Sequence, residues 1–444
     1  MKIPAGRLDA IIHWLSSHLP PVMLWGRWDF DSPLDRATLA RAVLQLPQRV
    51  PALACHYRPG LWRGAFVRSD EPAYAFEHRE YKGRLSALAA ANDSISLELG
   101  QGSGPVFTVR CFAWETGCQL LLALDHRHVD GRGMANVMKA LADSYTAAQS
   151  PRPVPLEPLS EQRSLAPVLR ALRPIHYLRM PIALWRDFVS HARVPLSALS
   201  PLGMDGDENA PSRVERPAHA HLHLDSDQAM ELHRTAKARS ATLNDVLLSA
   251  YCVATRRWNE RNTSRPQGKL SLIFASDYRR HFANGVRPIA NVSAVHRLVL
   301  SYEGLDSMDL ALPIIKSRVD RMKQRGMALD SLSFLLQGLA IPDGLVAGVI
   351  APVFRSMVRT VRRSVALTNI GALDESVGAF GENVARACTI LAPVAPAKAL
   401  IAAATSYRGA LDVTLGFDRA ALSTDQSAVF VELYRQALKE LRGI

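Results

Sequence analysis

Residues Ala123-Leu124-Asp125-His126-Arg127-His128-Val129-Asp130-Gly131-Arg132-Gly133 gather two histidines, two aspartates and two glycines in one short stretch. An imidazole titrates near neutrality, so a histidine at the mouth of a strand can take a proton and return it at working pH. A buried carboxylate four residues later can fix where that imidazole sits. The spacing His126-x-x-x-Asp130-Gly131 therefore suits a general base with a positioning aspartate. Taken alone, the same residues also describe a polar turn whose Asp130 caps the next helix.

The neighbouring elements must hold this turn. The apolar run Gln119 to Leu124 predicts a short buried strand, and the spacing from Met134 to Ala148 predicts a helix. Upstream, Val22 to Phe30 reads as a strand, Leu34 to Leu44 as a helix, and Val106 to Trp114 as a strand turning at Glu115-Thr116-Gly117. In the second half, His219 to Leu224 alternates like a strand and Ser226 to Ala238 has helical spacing. A further helix follows Ala241, with Thr242 or Asn244 at its cap and Val246, Leu247 and Ala250 on its apolar face. Leu270 to Ser276 reads as a buried strand ending in Asp277-Tyr278-Arg279-Arg280. Ala366 to Gly371 is a strand-to-turn stretch carrying Thr368 and Asn369, and three antiparallel strands are expected at Ala385–Pro393, Ala399–Ala404 and Leu411–Phe417.

At 444 residues the chain exceeds one ordinary core and fits two domains of roughly 200 residues each. The expected division is 1–150, a Pro- and Arg-rich linker over 151–217 with a flexible loop near Asp205–Asn209, and 218–444. With 48% hydrophobic and 21% charged residues this is a folded chain. No apolar run approaches the ~20 residues of a spanning helix, and the N-terminus lacks a secretory h-region, so the cytoplasm is the expected location. Five scattered cysteines without a CxxC pair suggest neither a disulfide framework nor a zinc site. His219, His221 and His223 share a strand face, but without a fourth ligand at a convincing spacing an exposed strand face is the preferred reading. The net charge of +12 fits a basic surface or attraction to an anionic partner such as coenzyme A, an acidic carrier protein or a lipid head group. No nucleic-acid motif is present. Arginines concentrate over Arg163–Arg193 and Arg355–Arg363, the latter fitting a basic surface helix or an interfacial one in peripheral contact with a membrane.

The motif His126-x-x-x-Asp130-Gly131 resembles the HxxxD(G) signature of nonribosomal condensation domains, plant-type acyltransferases, wax-ester and diacylglycerol synthases, and chloramphenicol acetyltransferase. Other segments match in order: the strand before Leu34-Asp35, the Thr242-Leu243-Asn244-Asp245 element, the Asp277-x-Arg279 strand end, Ala290-Asn291, and Thr368-Asn369-x-Gly371. Two departures stand out. Ala290 replaces the usual glycine, and only Gly416 and an aromatic survive where plant-type enzymes carry DFGWG. The resemblance implies two α/β lobes of mixed sheets flanked by helices, forming a V with a central tunnel. It implies His126 as catalytic base, with Asp130, Gly131 and Arg279 supporting the site and Arg279 bridging to Asp130. Thr368, Asn369, Asp125 and His128 become candidates for contacting substrate or oxyanion.

Asp125 stands where condensation domains have the first histidine of HHxxxDG, which favours a free-standing acyltransferase. The implied reaction moves an acyl group from a thioester, acyl-CoA or a phosphopantetheine on an acyl-carrier protein, to a hydroxyl or amine of a small molecule or lipid. No permanently bound cofactor is implied, and a monomer is expected. The alternatives are a condensation-type enzyme forming a peptide or ester, a wax-ester or diacylglycerol synthase-like lipid enzyme, and a non-catalytic protein that docks a carrier.

Overall fold

The computed structural model describes residues 1–16, 23–68, 73–98, 105–150, 156, 159–170, 182, 214, 216–262, 268–282, 288–324, 342–344, 363–394 and 400–441. Most of the expected linker, the loop at Asp205–Asn209 and the arginine-rich segment from Arg355 to Arg362 lie outside them.

In chain order the first half contains β1 (Lys2–Pro4), α1 (Arg7–Ser16), β2 (Met23–Phe30), α2 (Arg36–Arg49), β3 (Cys55–Arg58), β4 (Ala65–Arg68), β5 (Tyr74–Glu80), α3 (Arg84–Glu98), β6 (Phe107–Trp114), β7 (Gly117–Asp125) and α4 (Gly131–Gln149). After a short helix α5 (Ala166–Arg170) come β8 (Pro217–Leu224), α6 (Ser226–Ala238), α7 (Leu243–Asn262), β9 (Lys269–Asp277), β10 (Ser293–Ser301) and α8 (Met308–Gln324). The chain closes with β11 (Ser364–Ala372), β12 (Ala379–Phe380), β13 (Asn383–Val384), β14 (Ala387–Leu391), β15 (Leu400–Tyr407), β16 (Ala410–Asp418) and α9 (Thr424–Glu440).

Two sheets organise this mixed α/β fold. A five-stranded sheet runs β14-β2-β7-β6-β5, with β7 at its centre and every residue of β7 buried. Burial on both faces is what its unbroken apolar run requires. On one face Leu120, Leu122 and Leu124 meet Met134, Val137, Met138 and Leu141 of α4; on the other Leu121 and Ala123 meet Trp25, Ala87, Ala91 and Phe112. A six-stranded mixed sheet runs β10-β9-β11-β15-β16-β8, and α6, α7, α8 and α9 cover one of its faces. Thr242 does cap α7: its hydroxyl accepts from Asp245 N at 3.2 Å, and Asp245 Oδ2 accepts from Thr242 N at 2.9 Å.

The three expected C-terminal strands are not one antiparallel set. β15 and β16 pair antiparallel, but β14 leaves them to pair with β2 in the other sheet, while β15 runs parallel to β11. The alternation is right for strands, yet it carries no information about the sheet that receives each one. The crossing strand ties the second half of the chain to the first. Thr414 on β16 reinforces the tie, its hydroxyl accepting from Ala392 N at 2.8 Å.

Candidate active site

β7 delivers Asp125 to its C-terminal end, and the turn that follows holds His126, Arg127 and His128 before α4 begins. Asp130 caps a helix and is paired at the same time. Its carboxylate caps α4, Oδ1 accepting from Gly133 N at 2.8 Å. The same carboxylate takes a bidentate pair from Arg279, Nη2 to Oδ1 at 2.8 Å and Nη1 to Oδ2 at 3.0 Å, while Val292 N donates to Oδ2 at 2.9 Å. Four hydrogen bonds on a buried carboxylate leave it nothing to offer a substrate.

Arg279 is equally committed. Nε donates to Pro288 O at 2.8 Å, Nη2 to Ala290 O at 2.8 Å, and Nη1 also reaches Asp277 Oδ1 at 3.1 Å. Burial works against its charge, but Asp130 and Asp277 outweigh that and hold the guanidinium above its ordinary pKa. Both supports come from one place in the second sheet. β9 and β10 pair so that Asp277 lies opposite Ser293, which brings Arg279 and Asn291 together beyond the strand ends.

Asn291 holds the turn itself. Its Nδ2 donates to His126 O at 2.9 Å, Arg127 O at 3.0 Å and Asp9 Oδ1 at 2.8 Å. Asp9, on α1, is fully buried, and its Oδ2 accepts from Gly6 N at 2.7 Å and Arg163 Nη1 at 3.0 Å. Arg163 also donates to His128 O at 3.1 Å and lies over the Phe66 ring at 4.2 Å. Burial is the largest influence on Asp9 and raises its pKa despite Arg163 and Asn291. Sequence reading placed Asn291 only in a resemblance and missed Asp9 and Arg163. The available signal for Asp9 was a lone acid in the apolar stretch Leu8-Asp9-Ala10-Ile11, a cost that needs buried partners. Asn291→Ala is expected to destabilise the protein by about 1–3 kcal/mol, because two turn carbonyls and Asp9 lose their donor. A urea midpoint equal to that of wild type would contradict this.

His126 is half-buried. Its Nδ1 is enclosed and, among the described residues, has no hydrogen-bond partner. Gly131 sits against Ile370 of β11, whose side chain is 3.3 Å from where a Cβ would be, and Arg132 Nη1 donates to Ala372 O at 2.8 Å. The end of β11 is thus packed on the start of α4. Gly133 has the stricter requirement: a Cβ there would lie 2.1 Å from Ile289 O, so only glycine lets the two lobes approach.

Not every candidate comes to this place. Asp125 is turned back on its own loop, its Oδ1 accepting from Arg127 N at 2.8 Å and its carboxylate gripped by the Arg127 guanidinium. Burial would raise its pKa, but the hydrogen bonds from Arg127 and its positive charge more than offset this and lower it. An ionised carboxylate has no proton to donate to an oxyanion, so that candidacy is corrected. His128 is neither a polar loop residue nor turned to an open channel. It is 1% exposed, its ring lies tilted with its centroid 4.6 Å from that of Phe66, and its Nε2–H donates to Cys55 O at 2.9 Å. Burial pushes its pKa down to about 4, so it is a neutral core histidine.

On β11, Val365 and Leu367 join the helix-covered core, so alternation turns Thr368 to the opposite face. Asn369 Oδ1 accepts from Gly371 N at 3.0 Å at a bulge where Gly371 has φ +83°, which is turn chemistry. The three histidines of β8 do not converge either. His219 Nε2–H donates to Ala392 O at 2.8 Å, His223 Nδ1 bonds Asp412 Oδ1 at 2.8 Å, and His221 lies 3.4 Å from Arg27. Their strand faces the first lobe at its His219 end, which corrects the exposed-face reading there. Among the described residues no three His, Cys, Asp or Glu side chains are grouped to hold a metal. All five cysteines are free and buried. No helix among the described residues is long and apolar enough to cross a membrane.

No family model matches the chain. It is 27% identical over 353 residues to the uncharacterized protein Rv2305 of Mycobacterium tuberculosis, a match covering 78% of this chain and 73% of that protein. Two solved structures align along the chain. The trichothecene 15-O-acetyltransferase TRI3 of Fusarium sporotrichioides has a TM-score of 0.71 at 9% identity, covering 99% of this chain and 95% of that one. The first condensation domain of the calcium-dependent antibiotic synthetase has a TM-score of 0.70 at 16% identity, covering 100% and 97%. With a buried Asp130–Arg279 pair joining its two sheets behind His126, the chain has the two-lobed fold shared by condensation domains and chloramphenicol acetyltransferase-like acyltransferases.

Proposed function

We propose that the protein is an acyltransferase that moves an acyl group from a thioester to a hydroxyl or amine, with His126 as general base. The observation carrying this reading is the turn itself. Asp130, Arg279 and Asn291 spend their hydrogen bonds on holding it, and what it presents is one imidazole with Nδ1 enclosed. Such precise support is what a base needs in order to meet a substrate proton within hydrogen-bond reach.

In the proposed step Nε2 takes the acceptor O–H or N–H proton as the acceptor heteroatom attacks the thioester carbonyl. The C–S bond then breaks as the tetrahedral intermediate collapses, and the imidazolium returns its proton to the departing thiolate. The products are the ester or amide and a free thiol, with no acyl-enzyme. Thr368, on the face of β11 opposite the helix-covered core, is the residue proposed to donate to the developing oxyanion. Asp130 and Arg279 are positioning residues and do not touch the substrate. The donor is a co-substrate, acyl-CoA or a carrier-bound phosphopantetheine thioester, and the acceptor is a small molecule or a lipid.

The test is thiol release from acetyl-, medium- and long-chain acyl-CoA with pooled alcohols and amines, run in parallel with the same acyl groups on an acyl-carrier protein. Acceptor-dependent thiol release from one donor series is the expected result. Absence of release from both series would favour a binding protein that keeps the fold.

A further inference from the structure

We propose that the tip of the β3–β4 hairpin docks this protein on an anionic lipid surface. The loop joining the two strands, Pro59-Gly60-Leu61-Trp62-Arg63-Gly64, carries Leu61 68% exposed and Trp62 73% exposed, side by side. Among the other described tryptophans, Trp25, Trp28 and Trp258 are 2% exposed or less, and Trp14 and Trp114 are half-buried. Tryptophan beside an aliphatic residue on a projecting tip suits the interface between head groups and acyl chains, where an amphipathic ring has both an apolar and a wet neighbour.

Charge supports the same partner. Arg58 and Arg63 are exposed at the tip, Lys2 and Arg68 are exposed at the other end of the same small sheet, and the strands β1, β3 and β4 with the loop joining β3 to β4 contain no acidic residue. An apolar tip flanked by two arginines is complementary to anionic head groups over apolar chains.

The tip is also held ready. Gly344 N donates to Leu61 O at 2.8 Å and Asp343 N to Trp62 O at 3.2 Å. Asp343 in turn accepts from Gly64 N at 2.9 Å and from Arg7 at 2.7 Å. The backbone is braced while Leu61, one edge of which lies against Gly344, and Trp62 stay mostly exposed, so little ordering is needed on docking. Two exposed apolar residues offer too little area for a stable protein interface, which buries more than about 1,000 Å². A bilayer needs only that the tip enter it.

Docking would have a consequence for the site. Arg63 also lines a cavity of about 490 Å³, together with Arg7, Leu8, Leu165 and Asn291. Asn291 is the residue that holds the His126 carbonyl, so a docked tip sets this cavity, next to the catalytic turn, beside the head groups.

Vesicle co-sedimentation of the full chain tests the proposal. Vesicles of phosphatidylcholine alone are compared with vesicles that also contain phosphatidylglycerol. Wild type is expected to sediment with the anionic vesicles only, and less so as salt is added. Leu61→Ser with Trp62→Ser is expected to weaken that binding about tenfold or more. Arg58→Gln and Arg63→Gln should each weaken it about fivefold. Circular dichroism melts equal to wild type would show that these exposed changes spare the fold. Failure of wild type to bind anionic vesicles would overturn the proposal, as would binding that survives loss of both Leu61 and Trp62.

Discussion

Arg279→Ala is expected to destabilise the folded protein by about 3–5 kcal/mol, one of the largest effects of any single substitution in the chain. The arginine bridges elements 149 residues apart in sequence, and both partners are buried, the side chains 8% and 5% exposed. Removing it leaves the Asp130 carboxylate with two backbone donors and no counter-charge in a site closed to water. Pro288 O and Ala290 O lose their donor as well. Arg279→Lys should recover only part of the loss, since an ammonium cannot supply two parallel bonds and still reach those carbonyls. Asp130→Asn is expected to be nearly as harmful, because an amide N–H would face the guanidinium. Salt should change little, the pair being shielded from ions. Thermal melts of the three variants check these statements. A wild-type melting curve for Arg279→Ala would show that the pair does not hold the lobes together. Transfer should be lost in these variants through the turn, not through contact with substrate.

The pair was legible only through a resemblance, whose two segments stand far apart in sequence. A histidine and an aspartate at fixed spacing follow an apolar strand, and an Asp-x-Arg ends another. What lay beyond reach depends on which distant elements meet. Nothing in the alternation of 387–391 says that this strand pairs with β2 across the molecule instead of with its neighbours in sequence. Asp9 and Arg163 support the same turn from 117 and 37 residues away from His126, with no shared motif to flag them. Gly131 stood in the motif, yet Gly133 is the glycine that the packing demands, and only the position of Ile289 O reveals it. His128 stood among the candidates for contacting substrate because the sequence hides which way each ring of the turn points. Its ring packs against Phe66, on the three-stranded sheet that also carries the exposed tip.

His126→Ala is expected to lower acyl transfer by about 10²–10⁴-fold, the range a positioned base contributes. Its stability should stay close to wild type. Within the turn, the imidazole makes no hydrogen bond to any described residue through its enclosed Nδ1, and Asn291 holds the backbone carbonyl, which alanine retains. Loss of activity with an intact fold separates the base from its supports, whose removal lowers both. The residual rate would reflect proximity of the two bound substrates. The decisive measurement is therefore thiol release by wild type and His126→Ala, side by side on the same thioester and acceptor, with melting curves recorded on both. A fall of two orders of magnitude or more in a variant that melts like wild type is the expected result. Equal rates of acceptor-dependent release would contradict the assignment of His126 as the base.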